Sequence, residues 1–185
     1  TGSFKFRGGW SAISEMSEQK RKNGVLAISS GNHAQGVANA ARAFNTKSVI
    51  IMPKDAPTLK IANTRTLGAE VILYDRLNEN REELGAKIAK DRNLTLIKPY
   101  DEPLVIAGQG TCGLELAKQC KSLHISKADV IVCCGGGGLT AGIALALEKE
   151  APEFTVRTAE PEKFDDVAKS LKAGKICRNQ SMTGS

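Results

Sequence analysis

The sequence predicts an α/β fold built on parallel-type sheets with flanking helices. Short apolar runs recur along the chain, and amphipathic stretches of helical length separate them, the alternation that βαβ units require. The runs are dense in Val, Ile and Leu rather than strictly alternating, which suits strands covered on both faces.

Taken in order, Arg7 to Lys22 reads as a helix, with Lys20-Arg21-Lys22 at the end where cations complement the dipole. Val25 to Ile28 is a strand, and His33 to Phe44 an Ala-rich helix. Ser48 to Met52 is a strand stopped by Pro53. Pro57 opens the next helix, to about Leu67, because proline is tolerated in a first turn. Val71 to Tyr74 is a strand, Asn78 to Asp91 a charged helix, and Thr95 to Ile97 a short strand before Pro99. Leu104 to Gln119 reads as a helix despite Gly108, Gly110 and Gly113. Val130 to Cys134 is a buried strand, Leu139 to Glu150 a helix, and Thr155 to Ala159 the last strand. Lys163 to Lys172 is a helix closed by Gly174. The Pro- and Gly-rich segment from Lys98 to Gly113 is where a domain crossing is expected.

The composition is that of a globular chain with length for a core: 185 residues, 41% hydrophobic and 25% charged. Aromatic residues are 4%, too few for the stacking platforms of single-stranded nucleic-acid binders, and a net charge of +6 suits small anionic ligands instead. No nucleic-acid partner is expected. Cys112, Cys120, Cys133, Cys134 and Cys177 form no CxxC pair. An odd count without metal-type spacing or a secretion signal predicts free thiols in the cytoplasm. No apolar run is long enough to span a membrane.

Four segments and one acidic run carry the candidate chemistry. Gly135 to Gly138 follow a strand and open a helix. Four glycines together cost conformational entropy, and here they free backbone N–H groups to converge on an anion at the positive end of a helix. A phosphate cradle is the reading this context favours over a flexible turn. Lys5 lies between Phe4 and Phe6. In apolar surroundings a lysine tends to lose its proton, and a neutral amine can form an imine with a carbonyl cofactor. A surface lysine with a snorkelling stem is the alternative.

Ser29 to Gly36 again follow a strand and open a helix, and their N–H groups and polar side chains suit a carboxylate. His33 alone reads as a structural hydrogen-bond partner. Ala107 to Thr111 allow close approach either to a ligand or to neighbouring backbone. Glu160-Pro161-Glu162-Lys163-Phe164-Asp165-Asp166 is either a solvated helix start or an oxygen site for a hard divalent cation.

Jointly, Ser3 to Gly8, Ser30 to Gly36, Val105 to Thr111 and Gly135 to Leu139 resemble the fold-type II pyridoxal-phosphate enzymes, in the threonine/serine dehydratase and serine racemase branch. The resemblance implies the tryptophan-synthase-beta-like fold. In it, residues 27–104 form a small mobile substrate domain, and residues 1–26 and 105–185 a large cofactor-binding domain. It implies that Lys5 holds pyridoxal 5'-phosphate as an imine and that Phe4 lies beside the pyridine ring. Asn32 is implied to bond the phenolic oxygen, and Gly135, Gly136, Gly137, Gly138 and Leu139 to grip the phosphate. Ser30, Gly31, Asn32 and His33 are implied to take the amino-acid carboxylate. By the same resemblance Glu160, the Phe164 carbonyl and Asp166 are implied to hold Mg2+ or another divalent cation rather than to form only a solvated helix start.

The implied activity is an ammonia-lyase converting L-threonine or L-serine, small hydroxy amino acids, to 2-oxobutanoate or pyruvate plus ammonia. Ser30 keeps serine racemase open, because a hydroxyl there can protonate the opposite face of a carbanion; 3-hydroxyaspartate ammonia-lyase is a third reading. An inactive homologue serving as a ligand-binding module is the non-enzymatic one. A dinucleotide-binding module is disfavoured because Gly135 to Gly138 lack the GxGxxG spacing. Dimers are frequent in the family, so a homo-oligomer is expected. The partner of the pyridine nitrogen would lie beyond Ser185, and the stretch from Asn179 to Ser185 ends without a closing element, so a fragment of a longer protein is expected.

Overall fold

A computed structural model describes residues 2–179 of the chain. Thr1 lies outside the described residues, as do residues 180–185, on which the expectation about the chain's end falls. The elements run α1 (Lys5–Ser14), α2 (Glu18–Asn23), β1 (Val25–Ile28), α3 (Asn32–Ala43), β2 (Ser48–Pro53), α4 (Thr58–Thr66), β3 (Glu70–Tyr74), α5 (Arg81–Asp91), β4 (Thr95–Leu96), α6 (Pro103–Ser122), β5 (Ala128–Cys133), α7 (Gly138–Glu150), β6 (Phe154–Ala159) and α8 (Asp166–Ala173). They form two compact units, Thr1–Gln109 and Gly110–Ser185, which part inside α6 and within the Lys98–Gly113 segment.

The first unit is a four-stranded parallel sheet in the order β3-β2-β1-β4. Side chains alternate across a strand, so one sheet has two faces to cover. Val25, Ala27, Ile50 and Met52 meet Ala34, Val37, Ala38 and Ala41 of α3 and Ile13 of α1 in one buried cluster. Leu26, Val49 and Ile51 meet Leu84 and Ile88 of α5 in the other. Both faces are thus covered, as the dense apolar runs of β1 and β2 predict. Alanine and glycine on α3 let α1 approach closely. A Cβ on Gly9 would lie 3.2 Å from the Gly36 carbonyl oxygen, and one on Gly36 would lie 2.8 Å from the Lys5 carbonyl carbon. This packing joins α1 to the sheet. The first unit therefore holds the whole 27–104 span together with α1 and α2.

In the second unit β5 and β6 pair in parallel from Ala128↔Phe154 to Cys133↔Ala159. Val132 packs with Ala117 of α6 and with Ile143 and Leu147 of α7. The strand is not buried on both faces as its sequence predicts: Ile131 is 72% exposed. The buried cluster lies on one face of this two-stranded sheet, and the period-two alternation turns Ile131 and Cys133 to the other.

Three helix boundaries differ from the expected ones for local reasons. The Arg7–Lys22 stretch divides into α1 and α2, because extended Ser17 breaks the helix and its side chain then accepts from Lys20 N. Helix α5 starts at Arg81 because Asn80 Oδ1 caps the amides of Glu82 and Glu83. Helix α8 starts at Asp166, since Lys163 adopts a positive φ of 69° that no helix accommodates.

Candidate active site

The topology of the first unit selects a place for a ligand. From β1 the chain moves outward through β2 to β3, then returns to lay β4 on the other side of β1. Such a reversal leaves a crevice beyond the carboxyl ends of the two strands at the switch. Ser29–His33 follow β1 and Ile97–Pro99 follow β4. Of the sequence-predicted site residues, Ser30, Gly31, Asn32 and His33 lie on the first of these segments.

Lys5 is the first residue of α1 and is half-buried. Its Nζ donates to the Pro99 carbonyl oxygen at 2.6 Å and stands 5.2 Å from the centre of the Phe4 ring. Burial holds its pKa below the usual lysine value, because a partly dry environment disfavours the ammonium. His33 is 3% exposed, and its Nε2 lies 2.9 Å from the Ile97 carbonyl oxygen. Burial first, and the Lys5 charge in support, push its pKa down to about 4 against the opposing pull of the Ile97 hydrogen bond. A carbonyl only accepts, so the single proton of the neutral ring sits on Nε2 and Nδ1 is a bare acceptor. That Nδ1 is buried and has no hydrogen-bond partner among the described residues.

The N-cap of α3 is Gly31, and no side chain caps the helix. Ser29 Oγ instead accepts from Gly31 N at 3.2 Å, shaping the turn. The leading amides of α3 are the kind of donors an anion takes. Ser30 is half-buried and Asn32 exposed beside them.

The Gly108-Gln109-Gly110 ambiguity resolves toward packing. A Cβ on Gly108 would overlap the Arg7 carbonyl, and one on Gly110 would lie 2.9 Å from the Gly142 carbonyl oxygen. Gln109 is buried against Gly8, and its amide has no hydrogen-bond partner among the described residues.

The second unit supplies a separate anion-binding element. Gly137 is the N-cap of α7 in the left-handed region, φ 80°, where a side chain is strained. No side chain caps α7. A Cβ on Gly135 would meet nothing within 4 Å, so the glycine leaves open space rather than relieving a clash. Thr140 Oγ1, in the first turn of α7, is buried without a partner among the described residues.

Glu160 and Asp166 sit together at the start of α8. Glu160 Oε1 accepts from Val167 N at 3.0 Å and Oε2 from Ala168 N at 2.8 Å, so this carboxylate caps the helix. One Asp166 carboxylate oxygen accepts from Asn179 Nδ2 at 2.7 Å. Among the described residues no three His, Cys, Asp or Glu side chains form a metal cluster. Any cation here would use the remaining lone pairs of Glu160 and Asp166 with the Phe164 carbonyl.

The family model described as "Pyridoxal-phosphate dependent enzyme" matches residues 1–184. The chain belongs to this family. An L-threo-3-hydroxyaspartate ammonia-lyase of Pseudomonas sp is 46% identical over 95% of the chain and 54% of that protein. Serine racemase of Schizosaccharomyces pombe is 45% identical over 95% and 53%. L-threonine ammonia-lyase of Thermotoga maritima is 41% identical over 96% and 43%. The chain thus spans about half the length of the curated relatives it matches.

Among solved structures, the threonine deaminase of T.th. superposes with a TM-score of 0.89 at 45% identity, covering 98% of this chain and 57% of that one. Maize serine racemase gives 0.90 at 34% identity, covering 98% and 54%. The pyridoxal-phosphate family fold of type II, with parallel sheets and helices, is therefore the fold of this chain. Each unit holds groups whose chemistry fits the cofactor: in the first, a half-buried amine with a lowered pKa; in the second, a glycine turn with room where a Cβ would stand and a Thr140 hydroxyl that has no partner among the described residues.

Three polar groups, two in the first unit and one in the second, are not singled out by the sequence reading. The carbonyls of Ile97 and Pro99 carry no residue-type signal, because any residue has that oxygen. Thr140 had one, as a hydroxyl residue three positions into a helix that opens on glycine.

Proposed function

We propose that the protein carrying this chain is a pyridoxal-phosphate-dependent ammonia-lyase that converts L-threonine and L-serine to 2-oxobutanoate or pyruvate plus ammonia. The observation that carries this reading is Lys5, a half-buried amine of lowered pKa at the switch point, beside the uncapped start of α3. Bound pyridoxal phosphate supplies an electron sink for a carbanion. Lys5 is the residue that would hold it covalently, Phe4 would lie beside its ring and Asn32 would bond its phenolic oxygen. Gly135 to Gly138 and Leu139 would take its phosphate.

The chain's own groups divide the remaining work. The backbone amides of Ser30 to His33, with the side chains of Ser30 and Asn32, bind and orient the substrate carboxylate. Lowered basicity leaves more of the Lys5 amine unprotonated near neutral pH, ready to take the α-proton at Nζ. The Pro99 carbonyl holds that amine in place whenever it is free.

Ser30 supports a second reading. Its hydroxyl beside the start of α3 can deliver a proton to the face opposite Lys5, as a serine racemase requires, and such a racemase is 45% identical. The 46% identity to a 3-hydroxyaspartate ammonia-lyase keeps that dicarboxylic substrate in the comparison.

Glu160, the Phe164 carbonyl and Asp166 are proposed to hold Mg2+ or a similar cation. We assign residues 27–104 to a small substrate domain and the flanks to a large one. A cytoplasmic homo-oligomer is the proposed setting; five free cysteines suit a reducing compartment.

The test is product analysis of the full-length protein with L-threonine, L-serine and 3-hydroxyaspartate, each with and without Mg2+. The expected products are 2-oxobutanoate and pyruvate. Predominant D-serine from L-serine overturns the lyase assignment in favour of racemase. Absence of any visible cofactor band on titration with pyridoxal phosphate points to the inactive-homologue reading instead.

A further inference from the structure

His33 is almost wholly buried, yet the proposed chemistry uses only its backbone. Its side chain has a separate task visible in the first unit. Lys5 leaves the start of α1 and His33 the start of α3, and both end on the same short stretch after β4. His33 Nε2 is bonded to the Ile97 carbonyl and Lys5 Nζ to the Pro99 carbonyl. Ile97 N is itself tied to the Leu26 carbonyl oxygen at 2.8 Å, so the stretch is anchored to the sheet where it begins.

Beyond that anchor the backbone has little freedom. Proline fixes its own φ, and the residue before a proline is confined to extended conformations. Orientation imposed at the Ile97 carbonyl is therefore passed through Lys98 to the Pro99 carbonyl. We propose that His33 is a positioning residue for Lys5. By fixing the Ile97 carbonyl through Nε2–H, it holds the Pro99 carbonyl where the Lys5 amine docks whenever that amine is not bonded to cofactor or proton donor.

The inference rests on the reading of Lys5 as the reactive amine. The neutral state of the ring supports it, because an imidazolium beside Lys5 would repel the group it helps to place. The Pro99 oxygen and the Phe4 ring are what Lys5 faces, and Lys5 is the charge that acts on His33. Histidine suits the position because its far nitrogen reaches the strand end from the first helical turn while presenting one N–H to one acceptor.

The experiment uses the full-length protein freed of cofactor. Capture of pyridoxal phosphate is followed by the visible band across a pH series, which reports the unprotonated fraction of Lys5. In His33→Phe the Pro99 acceptor is no longer held, the ammonium loses its hydrogen bond, and the capture midpoint moves down by about one pH unit, a tenfold change in proton affinity. His33→Gln keeps an N–H of similar reach and restores the wild-type midpoint. Superimposable wild-type and His33→Phe profiles overturn the inference, as does a His33→Gln profile shifted as far as that of His33→Phe.

A ring-nitrogen NMR spectrum of the wild-type protein tests the same point without a variant. A proton on Nε2 and a bare Nδ1 between pH 8 and pH 5 support it; the opposite tautomer overturns it. Capture that fails in the wild-type protein at every pH overturns the Lys5 reading and this inference together. Capture with an unmoved His33→Phe profile overturns this inference alone.

Discussion

Gly36 lies directly against the backbone of Lys5: a Cβ added at Gly36 would stand 2.8 Å from the Lys5 carbonyl carbon and 2.9 Å from both its oxygen and the amide nitrogen of Phe6. The glycine at the end of the Asn32–Gly36 segment thus sets where α1 starts, and with it where the amine projects. Gly36→Ala should cost roughly 1–3 kcal/mol by overpacking, more than the helix preference of alanine returns. A melting temperature equal to or above that of the wild-type protein in calorimetry contradicts this.

Gly135→Ala makes the complementary case. Its Cβ would meet no protein atom, so stability should stay within about 0.5 kcal/mol of wild type. Affinity for pyridoxal phosphate should nonetheless fall roughly tenfold, the loss expected from one displaced hydrogen bond. Titration of the full-length variant with cofactor reads the affinity and calorimetry the stability, and unchanged affinity removes this turn from the phosphate site.

Lys5→Ala should abolish the visible cofactor band and reduce turnover by about a thousandfold or more, since both tether and base are lost. Retention of band and turnover together would show that another amine serves.

Stability should depend on His33 in a defined pH window. Its folded pKa of about 4 lies below the unfolded 6.5. Above pH 6.5 the ring is neutral in both states and contributes no pH dependence. As pH falls from 6.5 to 4 the unfolded chain takes a proton that the folded one refuses, and stability drops by up to about 3 kcal/mol. Urea titrations across that range should show the slope in the wild-type protein and a shallower one in His33→Phe.

Glu160→Ala removes the cap from α8, because both carboxylate oxygens accept amides there. The expected cost is about 1–2 kcal/mol. Mg2+ should raise the melting temperature of the wild-type protein and leave the variant unmoved. If Mg2+ moves neither, the cation assignment fails while the capping role stands.

Much of the fold was legible because it follows from periodicity. The apolar runs of β1 and β2 read as covered strands, and their two clusters cover both faces. Ser17 and Asn80 were overlooked as helix caps because a continuous amphipathic pattern masked them. The open face of β5 was illegible, since Val130 to Cys134 has the composition of a strand buried on both sides and composition does not report what covers it. Among the proposed site residues, Lys5 in the first unit and the glycine turn in the second were legible as candidates from residue type and spacing. Carbonyl acceptors were not, and the meaning of Gly108 and Gly110 as packing residues required knowing which backbones they touch.

The acceptor for Lys5 is main-chain oxygen, so no substitution at residue 99 itself deletes it. Replacing residue 99 changes a ring but leaves the oxygen. Only a change in local chain path can withdraw it. Variation in this region is therefore felt by the amine as geometry, and mutations that re-route the stretch between Ile97 and Asp101 should disturb reactivity without touching any charged group.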